Sequence, residues 1–217
     1  MFDFLYIATV AILDKIIWTI DVGPSVHKFF LAPQVGNFRV ALGKVRAVRL
    51  QRFAAKGVPD CKNFLSKYKY EGPRITAVGA TLNDVPEMDK ESYIKKYFLT
   101  EKLIDGILPK SGVMLDESSG SSGHPTSWAR GKKERRITRR LIQVTFKHLV
   151  GDTEPIVINT FAMGAWSTGF NTSISLLEVS RVKSTGPDLT KVIDTLLELG
   201  PKFDYVITGY PPFLKQI

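Results

Sequence analysis

The sequence predicts an α/β fold: a mainly helical N-terminal region, followed by part of a mostly parallel sheet with flanking helices. Two observations support this fold class. The second half alternates short apolar runs with longer amphipathic runs, as parallel sheets with right-handed crossovers require. The chain has 217 residues, of which 44% are hydrophobic, so a sizeable core can form. We therefore expect two regions, residues 1–70 and residues 71–217.

The N-terminal region opens with an uncharged apolar run, residues 4–13. Ten residues are too few to span a bilayer, and no basic cluster precedes the run, which argues against a signal peptide. We expect a buried helix there, with a membrane-surface helix as the alternative. Residues 40–55 mix basic and apolar side chains at helical spacing, and Asp60 is a candidate cap for a short helix that follows.

The middle of the chain contains a helix start and then a strand. Asp89 is a candidate cap, with Glu91 in the first turn of its helix. Residues 111–117 have a short apolar centre that suits a strand. A helix is expected over residues 134–150, where four side chains fall on one side. These four are Ile137, Leu141, Val144 and His148.

The last third alternates strand and helix. Residues 155–166 suggest a buried strand that enters a turn, and Thr172 or Ser173 is a candidate cap for the ambiguous segment after it. A helix is expected over residues 188–199, with Pro187 at its start and Gly200 at its end. A strand over residues 203–210 and the start of another helix complete the pattern.

Charge and cysteine content narrow the function classes. The formal net charge is +9, and six basic residues lie within residues 132–140. No zinc-finger spacing or aromatic RNA-binding signature surrounds them, so we expect a solvated helix face or an outer contact to an anionic cofactor, not nucleic-acid binding. The single cysteine, Cys61, permits no intramolecular disulfide and fits a packing role in a reducing, cytoplasmic setting.

A Ser/Gly-rich segment, SSGSSGHPT over residues 118–126, is either a flexible linker or a phosphate-binding loop. Glycines free the backbone for close approach to a ligand, and hydroxyls and a helix start downstream would supply donors. The preceding strand and following helix favour the phosphate loop. Its candidate binding residues are Ser118, Ser119, Gly120, Ser121, Ser122, Gly123, His124 and Thr126.

Other phosphate and hydrolase motifs fail on their spacing. Gly164 and Gly169 have the gap of a P-loop, but Phe170-Asn171 follows them where Lys and Ser or Thr are required. No G-x-G-x-x-G occurs. The stretch AWSTG approaches a serine-hydrolase elbow but begins with alanine, so Ser167 is interpreted as a turn or cap residue.

The Ser/Gly loop resembles the phosphate signature of the adenylate-forming (AMP-binding) enzymes, in which a Ser/Thr/Gly run precedes Lys-Pro. Three further tracts resemble the phenylacetate–CoA ligase-like branch: VPDCKNFLSKY from residue 58, VPEMDKESYIKKYFL from residue 85, and residues 185–217. The resemblance runs from about residue 58 to residue 217. His124 departs from the pattern, because the family places Lys there and neutral histidine is a weaker phosphate partner.

The resemblance implies a reaction and its ligands. Family members join a carboxylic acid to ATP, with Mg2+, to give an acyl-adenylate and pyrophosphate, and a thiol such as coenzyme A (CoA) then takes the acyl group. Residues 71–217 would be a partial nucleotide-binding subdomain. The substrate pocket is expected near a strand end, with the candidate residues Phe161, Met163, Gly164 and Trp166. The alternative is that these residues have an ordinary role in core and turn packing.

The resemblance covers only the N-terminal portion of such an enzyme. No residues match the family's ribose contact, acidic magnesium contact or C-terminal catalytic lysine, so no catalytic residue and no protein metal ligand is assigned. We expect a chain that is not active alone and that a complementary C-terminal chain would complete. Two alternatives are a non-catalytic nucleotide-binding or assembly module, and a basic protein in peripheral contact with a membrane surface.

Overall fold

The computed structural model describes residues 9, 12, 32–72, 75–76, 79–80, 82, 84–118, 120 and 125–217. The helix expected over residues 4–13 therefore lies outside the described residues, apart from two isolated positions. The chain is mixed α/β, as the sequence predicts. It divides into two compact units, Met1–Leu108 and Pro109–Ile217, whereas the sequence suggests a boundary near residue 70. No helix among the described residues is long and apolar enough to cross a bilayer.

The first unit is mainly helical. Its elements are α1 (Gly36–Gly57), α2 (Pro59–Lys67), the short antiparallel pair β1 (Ile75–Thr76) and β2 (Gly79–Ala80), and turns of 3-10 or π helix at Pro33–Val35, Lys90–Ile94, Thr100–Lys102 and Ile104–Gly106. The predicted helix over residues 40–55 is confirmed within α1. The Asp89 cap is also confirmed, because the Asp89 carboxylate accepts a hydrogen bond from the Ser92 amide at 2.6 Å.

The predicted cap at Asp60 is wrong. Val58 occupies the cap position of α2, Pro59 begins the helix, and Asp60 lies in its first turn. The Asp60 side chain is fully buried and accepts a hydrogen bond from the Tyr93 hydroxyl at 2.8 Å. This contact joins α2 to the turn at Lys90–Ile94, so the carboxylate serves tertiary packing instead of helix capping.

The second unit contains an antiparallel hairpin and a parallel sheet. Its elements are β3 (Met114–Glu117), β4 (Ser127–Arg130), α3 (Lys132–Val150), β5 (Ile156–Asn159), α4 (Ser167–Leu177), β6 (Arg181–Ser184), α5 (Leu189–Leu199), β7 (Tyr205–Thr208) and α6 (Pro211–Leu214). The parallel sheet has the strand order β6-β5-β7. The predicted strands and helices over residues 134–150, 155–166, 188–199 and 203–217 are therefore confirmed, and so is the parallel sheet.

Strand β5 is the centre of the sheet and is buried along its whole length. Val157 aligns with Val182 on β6 and Val206 on β7, and this face packs against Leu176 of α4 and Phe146 of α3. The chain leaves β5 for β6 on one side and then crosses to β7 on the other side. With right-handed crossovers, α4 and α5 lie on opposite faces of the sheet.

Helix α3 buries a different face from the one that the sequence pattern marks. Its buried residue is Phe146, and Ile142 and Val150 pack beside it. Ile137 and Leu141 lie together on the other side and are exposed, Leu141 by 61%. The period of the helix was predictable, but two apolar stripes compete in this sequence, and packing against α4 selects one.

Two helix starts also differ from expectation. Neither Thr172 nor Ser173 caps α4, which already begins at Ser167 after Trp166. Ser173 instead lies within α4, where its hydroxyl accepts a hydrogen bond from the Asn159 side chain at 2.7 Å. In α5 the cap is Asp188, whose carboxylate accepts from the Lys191 amide at 3.0 Å, and Pro187 precedes it.

Candidate functional site

The Ser/Gly-rich segment connects the two strands of the β3–β4 hairpin. Glu117 pairs with Ser127, and the Ser118 amide donates to the Thr126 carbonyl at 3.0 Å. The Thr126 amide donates in turn to the Ser118 hydroxyl at 2.9 Å. These two contacts close the base of the loop. The helix expected downstream of the loop is present as α3 from Lys132, but the sequence analysis missed β4, which lies between the loop and this helix.

Three of the eight candidate loop residues are described. Ser118 and Thr126 form the base, and Gly120 has a φ of 69°, in the left-handed region that side chains with a Cβ rarely adopt. Glycine at this position allows the turn that begins the loop. The other five candidates, Ser119, Ser121, Ser122, Gly123 and His124, lie outside the described residues.

The base of the loop lies beside the segment that follows β5. The Glu117 amide donates to the Ala165 carbonyl at 2.9 Å, and Glu117 forms a parallel bridge with Trp166. The two candidate sites that the sequence marks separately, the loop at residues 118–126 and the segment at residues 161–166, are thus joined by backbone pairing.

An ion pair between a buried carboxylate and a partly exposed arginine fixes the hairpin. Asp116 on β3 is only 3% exposed, and its carboxylate lies 2.8 Å from the Arg130 Nε on β4. The Nε–H does not align as a hydrogen bond, so the contact is electrostatic. Arg130 also reaches Glu134 in α3 at 3.0 Å, and the Asn171 amide of α4 lies 3.5 Å from Asp116. Both strands that lead to the loop are therefore held near two helices.

Asn159 organises the carboxyl end of the sheet. It is fully buried at the end of β5, and its amide nitrogen donates to the Gly169 carbonyl at 2.8 Å and to the Ser173 hydroxyl at 2.7 Å. Its side-chain oxygen accepts from the Phe161 amide at 3.2 Å and from the Thr208 hydroxyl at 3.4 Å. One side chain thus links β5, α4, β7 and the first residue of the candidate pocket segment.

The candidate pocket segment presents its large side chains outward. Met163 is 36% exposed and Trp166 is 48% exposed, while Phe161 is half-buried. Gly164 has a φ of 95°, so the turn between Met163 and Trp166 depends on glycine. Of the alternative, core and turn packing, the core half does not describe Met163 or Trp166, which are exposed, whereas the turn half agrees with the turn at Gly164. Both side chains present apolar surface at the edge of the sheet where α/β proteins bind ligands.

The segment after β7 reaches the same edge, which the sequence analysis missed. Gly209 lies so close to β5 that a Cβ there would overlap the Thr160 hydroxyl. Thr160 also bonds the Thr208 carbonyl at 2.9 Å, and the next residue, Tyr210, is 65% exposed. The chain order reverses between β5 and β7, and such a switch point is a common ligand crevice. The signal available in the sequence was Asn159 at the end of β5 and Thr208-Gly209 at the end of β7.

Titratable groups with shifted pKa lie in the first unit. Burial raises the pKa of Asp60, and burial together with the hydrogen bond to Asp60 raises the pKa of Tyr93 well above its ordinary value. Burial and the nearby Asp60 carboxylate raise the pKa of Cys61, which is 5% exposed. A raised pKa disfavours the thiolate, which agrees with the predicted packing role of Cys61.

In the described part of the chain, no three His, Cys, Asp or Glu side chains lie close enough together to hold a metal ion. Similarity to known proteins does not indicate a function either. Comparison with protein-family models found no match, and comparison with curated proteins found none either.

Proposed function

We propose that this chain carries the phosphate-loop region of an AMP-forming acyl-activating ligase, which joins a carboxylic acid to ATP and passes the acyl group to a thiol such as CoA. The observation that carries the proposal is the pairing of Glu117 with Ala165 and Trp166. This contact joins a Ser/Gly loop to an exposed apolar segment at the carboxyl edge of a parallel sheet. A nucleotide that also carries an apolar acyl group needs both surfaces together.

The loop residues have the chemistry that phosphate requires. Ser118 uses its oxygen to accept from the Thr126 amide, so its hydroxyl proton is available to a ligand. Gly120 has a φ of 69°, and in the proposed site the backbone amides of the loop would serve as fixed partial charges for the phosphates. Transfer of the α-phosphoryl group to the carboxylate breaks the bond to the β-phosphate, and the loop would stabilise the charge that moves onto pyrophosphate.

Magnesium would enter with ATP, held by the phosphate oxygens, since Mg2+ in such sites keeps several waters and few protein ligands. Among the described residues, the Ser118 hydroxyl would donate to these phosphate oxygens. The acyl group would lie against Met163, Trp166 and Tyr210, whose exposed fractions are 36%, 48% and 65%. Coenzyme A is the proposed thiol substrate.

No residue of this chain is assigned a catalytic role in the proposed reaction. We therefore propose that ATP binds to this chain but that turnover requires a complementary C-terminal chain, located in the cytoplasm. A non-catalytic nucleotide-binding or assembly module would use the same loop. The two functions differ in whether addition of the complementary chain yields ATP–pyrophosphate exchange.

The first test is nucleotide binding to the whole chain. Titration with Mg-ATP and with pyrophosphate should change the fluorescence of Trp166, measured in a Trp18→Phe, Trp128→Phe background, and should protect the loop from limited proteolysis. Gly120→Val forces a branched side chain into the left-handed region and should weaken binding about tenfold. Ser118→Ala should weaken it by a smaller factor.

The matched control is Gly151→Val. Gly151 has a φ of 63° and follows α3, at the amino end of β5, so the substitution strains the backbone similarly at the opposite edge of the sheet. It should leave nucleotide affinity unchanged. Equal loss in both variants, or no binding at millimolar nucleotide in the unmodified chain, would contradict the proposal. ATP-dependent thioester formation by the chain alone would contradict the need for a complementary chain.

A further inference from the structure

Helix α3 carries a second apolar stripe that does not pack against the sheet. The stripe consists of Ile137, Leu141 and Val144, which lie on one side of the helix because residues four and seven positions apart share a face. Ile137 is 36% exposed and Leu141 is 61% exposed. Neither Ile137 nor Leu141 belongs to the hydrophobic cluster around Phe146, Val157 and Leu176.

Basic side chains border one flank of this stripe. Helix α3 contains seven basic residues and one acidic residue, and Lys133, Arg136, Arg140 and Lys147 follow the flank from its first turn to its last. The acidic residue, Glu134, is engaged by Arg130 at 3.0 Å. Positive charge therefore runs beside the apolar surface for the length of the helix.

The opposite face of α3 is fixed, so the helix cannot rotate to hide the stripe. Phe146 is buried against Val157 and Leu176. Beside it, Arg139 forms an ion pair with Glu178 at 2.6 Å, and Gln143 donates to the Ser175 carbonyl at 2.9 Å. The outward stripe is consequently a constant feature of this surface and not the result of loose packing.

We propose that the outward face of α3 docks on an anionic phospholipid surface. An apolar stripe bordered by lysine and arginine lies in the interface plane, with its apolar side chains at the boundary of headgroups and acyl chains. The long basic side chains reach lipid phosphates while their stems cover apolar surface. The net charge of +9 adds long-range attraction. Nucleic acid would use the basic flank and leave the leucine exposed, which makes it the weaker fit. The inference does not depend on the proposed enzymatic function.

The test is partition of the whole chain onto sucrose-loaded vesicles at 100 mM salt, measured by sedimentation. We expect binding to phosphatidylcholine vesicles that contain 30% phosphatidylserine and little binding to pure phosphatidylcholine. Binding should fall steeply at 500 mM salt, because screening weakens the attraction. Lys133→Gln together with Arg136→Gln should lower the partition coefficient by about fivefold for each charge removed. Leu141→Gln should lower it about fivefold as well.

The matched control is Leu197→Gln on α5, where the leucine is 76% exposed and its neighbours include Asp194 and Glu198. This variant should bind like the unmodified chain, and circular dichroism should show that every variant remains folded. Equal binding to neutral vesicles, equal loss in Leu197→Gln, or loss in the charge variant without loss in Leu141→Gln would each overturn the proposal. A dimer that Leu141→Gln dissociates, with vesicle binding unchanged, would assign the stripe to a second copy instead and would also overturn it.

Discussion

At the scale of single residues, the carboxyl edge of the sheet depends on one buried amide. Asn159 saturates its side chain with partners on β7, α4 and the segment after β5. A buried polar side chain costs stability when its partners are lost, and each partner then stays unpaired in a place that water does not reach. The same amide that stabilises the unit therefore also positions Phe161 and the segment that follows it.

Asn159→Ala is expected to destabilise the second unit by about 3 kcal/mol, because it leaves several buried groups without partners. Urea unfolding followed through Trp166 fluorescence measures the change. Asn63→Ala, at an exposed position of α2, is the matched control and should change stability by less than about 0.5 kcal/mol. Comparable losses at both positions would show that the hydrogen-bond network does not set the stability of the unit.

Asp60 predicts a pH dependence in the first unit. Burial raises its pKa above the ordinary value of 3.8, so its ionised form is disfavoured in the folded chain relative to the unfolded chain. The penalty is absent below pH 3.8, grows as pH rises to the raised pKa, and stays constant above it. Asp60→Asn removes the penalty and retains an oxygen that can accept from Tyr93.

The free energy of unfolding of Asp60→Asn, minus that of the unmodified chain, should therefore increase between pH 3.8 and neutral pH. Circular dichroism in urea at a series of pH values measures this difference. The Tyr93 hydrogen bond lowers the pKa of Asp60, so Tyr93→Phe should extend the rise to higher pH. A difference that stays flat, or that falls as pH rises, contradicts the assignment.

At the scale of elements, a close approach of backbone to backbone sets the position of α4. Gly169 lies in the first turns of this helix, and a Cβ there would overlap the Ala162 carbonyl. Gly169→Ala should therefore displace the segment at residues 161–166 and destabilise the unit by about 2 kcal/mol. Thermal unfolding and Trp166 fluorescence report the two effects.

The control for this substitution is Gly43→Ala in α1, where no atom lies within 4 Å of the added Cβ. Alanine favours helix over glycine, so Gly43→Ala should stabilise the chain by about 0.5 kcal/mol or leave it unchanged. A neutral Gly169→Ala would mean that α4 and the pocket segment separate without cost, and that their contact does not position Trp166.

Local sequence signals predicted most elements of the second unit, and non-local contacts decided the rest. Helix α5 was predictable because Asp188, a regular apolar spacing and Gly200 all lie within its own sequence. Strand β4 was not, because its four residues, SWAR, have no distinctive pattern and become a strand only by pairing with β3 across the loop. The same limit applies to the site: the Ser/Gly loop is visible in sequence, whereas the role of Asn159 depends on partners up to 49 positions away.

At the scale of the whole molecule, positive charge and exposed apolar surface act against each other. Large apolar side chains are exposed in both units, including Phe98 at 82%, Leu149 at 77% and Leu197 at 76%. Strand β7 adds an edge whose side chains are all uncharged, whereas Arg181 and Lys183 protect the β6 edge. At pH 7 the net charge of +9 provides the opposing repulsion between copies.

We therefore expect self-association that depends on charge. Light scattering at low ionic strength should show larger particles as pH rises from 7 toward the isoelectric point near 9.6, where the repulsion vanishes. Added salt at pH 7 should act in the same direction, because screening shortens the range of the repulsion to about 8 Å at 0.15 M. Leu197→Gln should reduce association under both conditions. A particle size that does not change with pH or salt would contradict this expectation. It would mean that attraction between copies, through exposed apolar side chains and the β7 edge, is too weak to cause association even without charge repulsion.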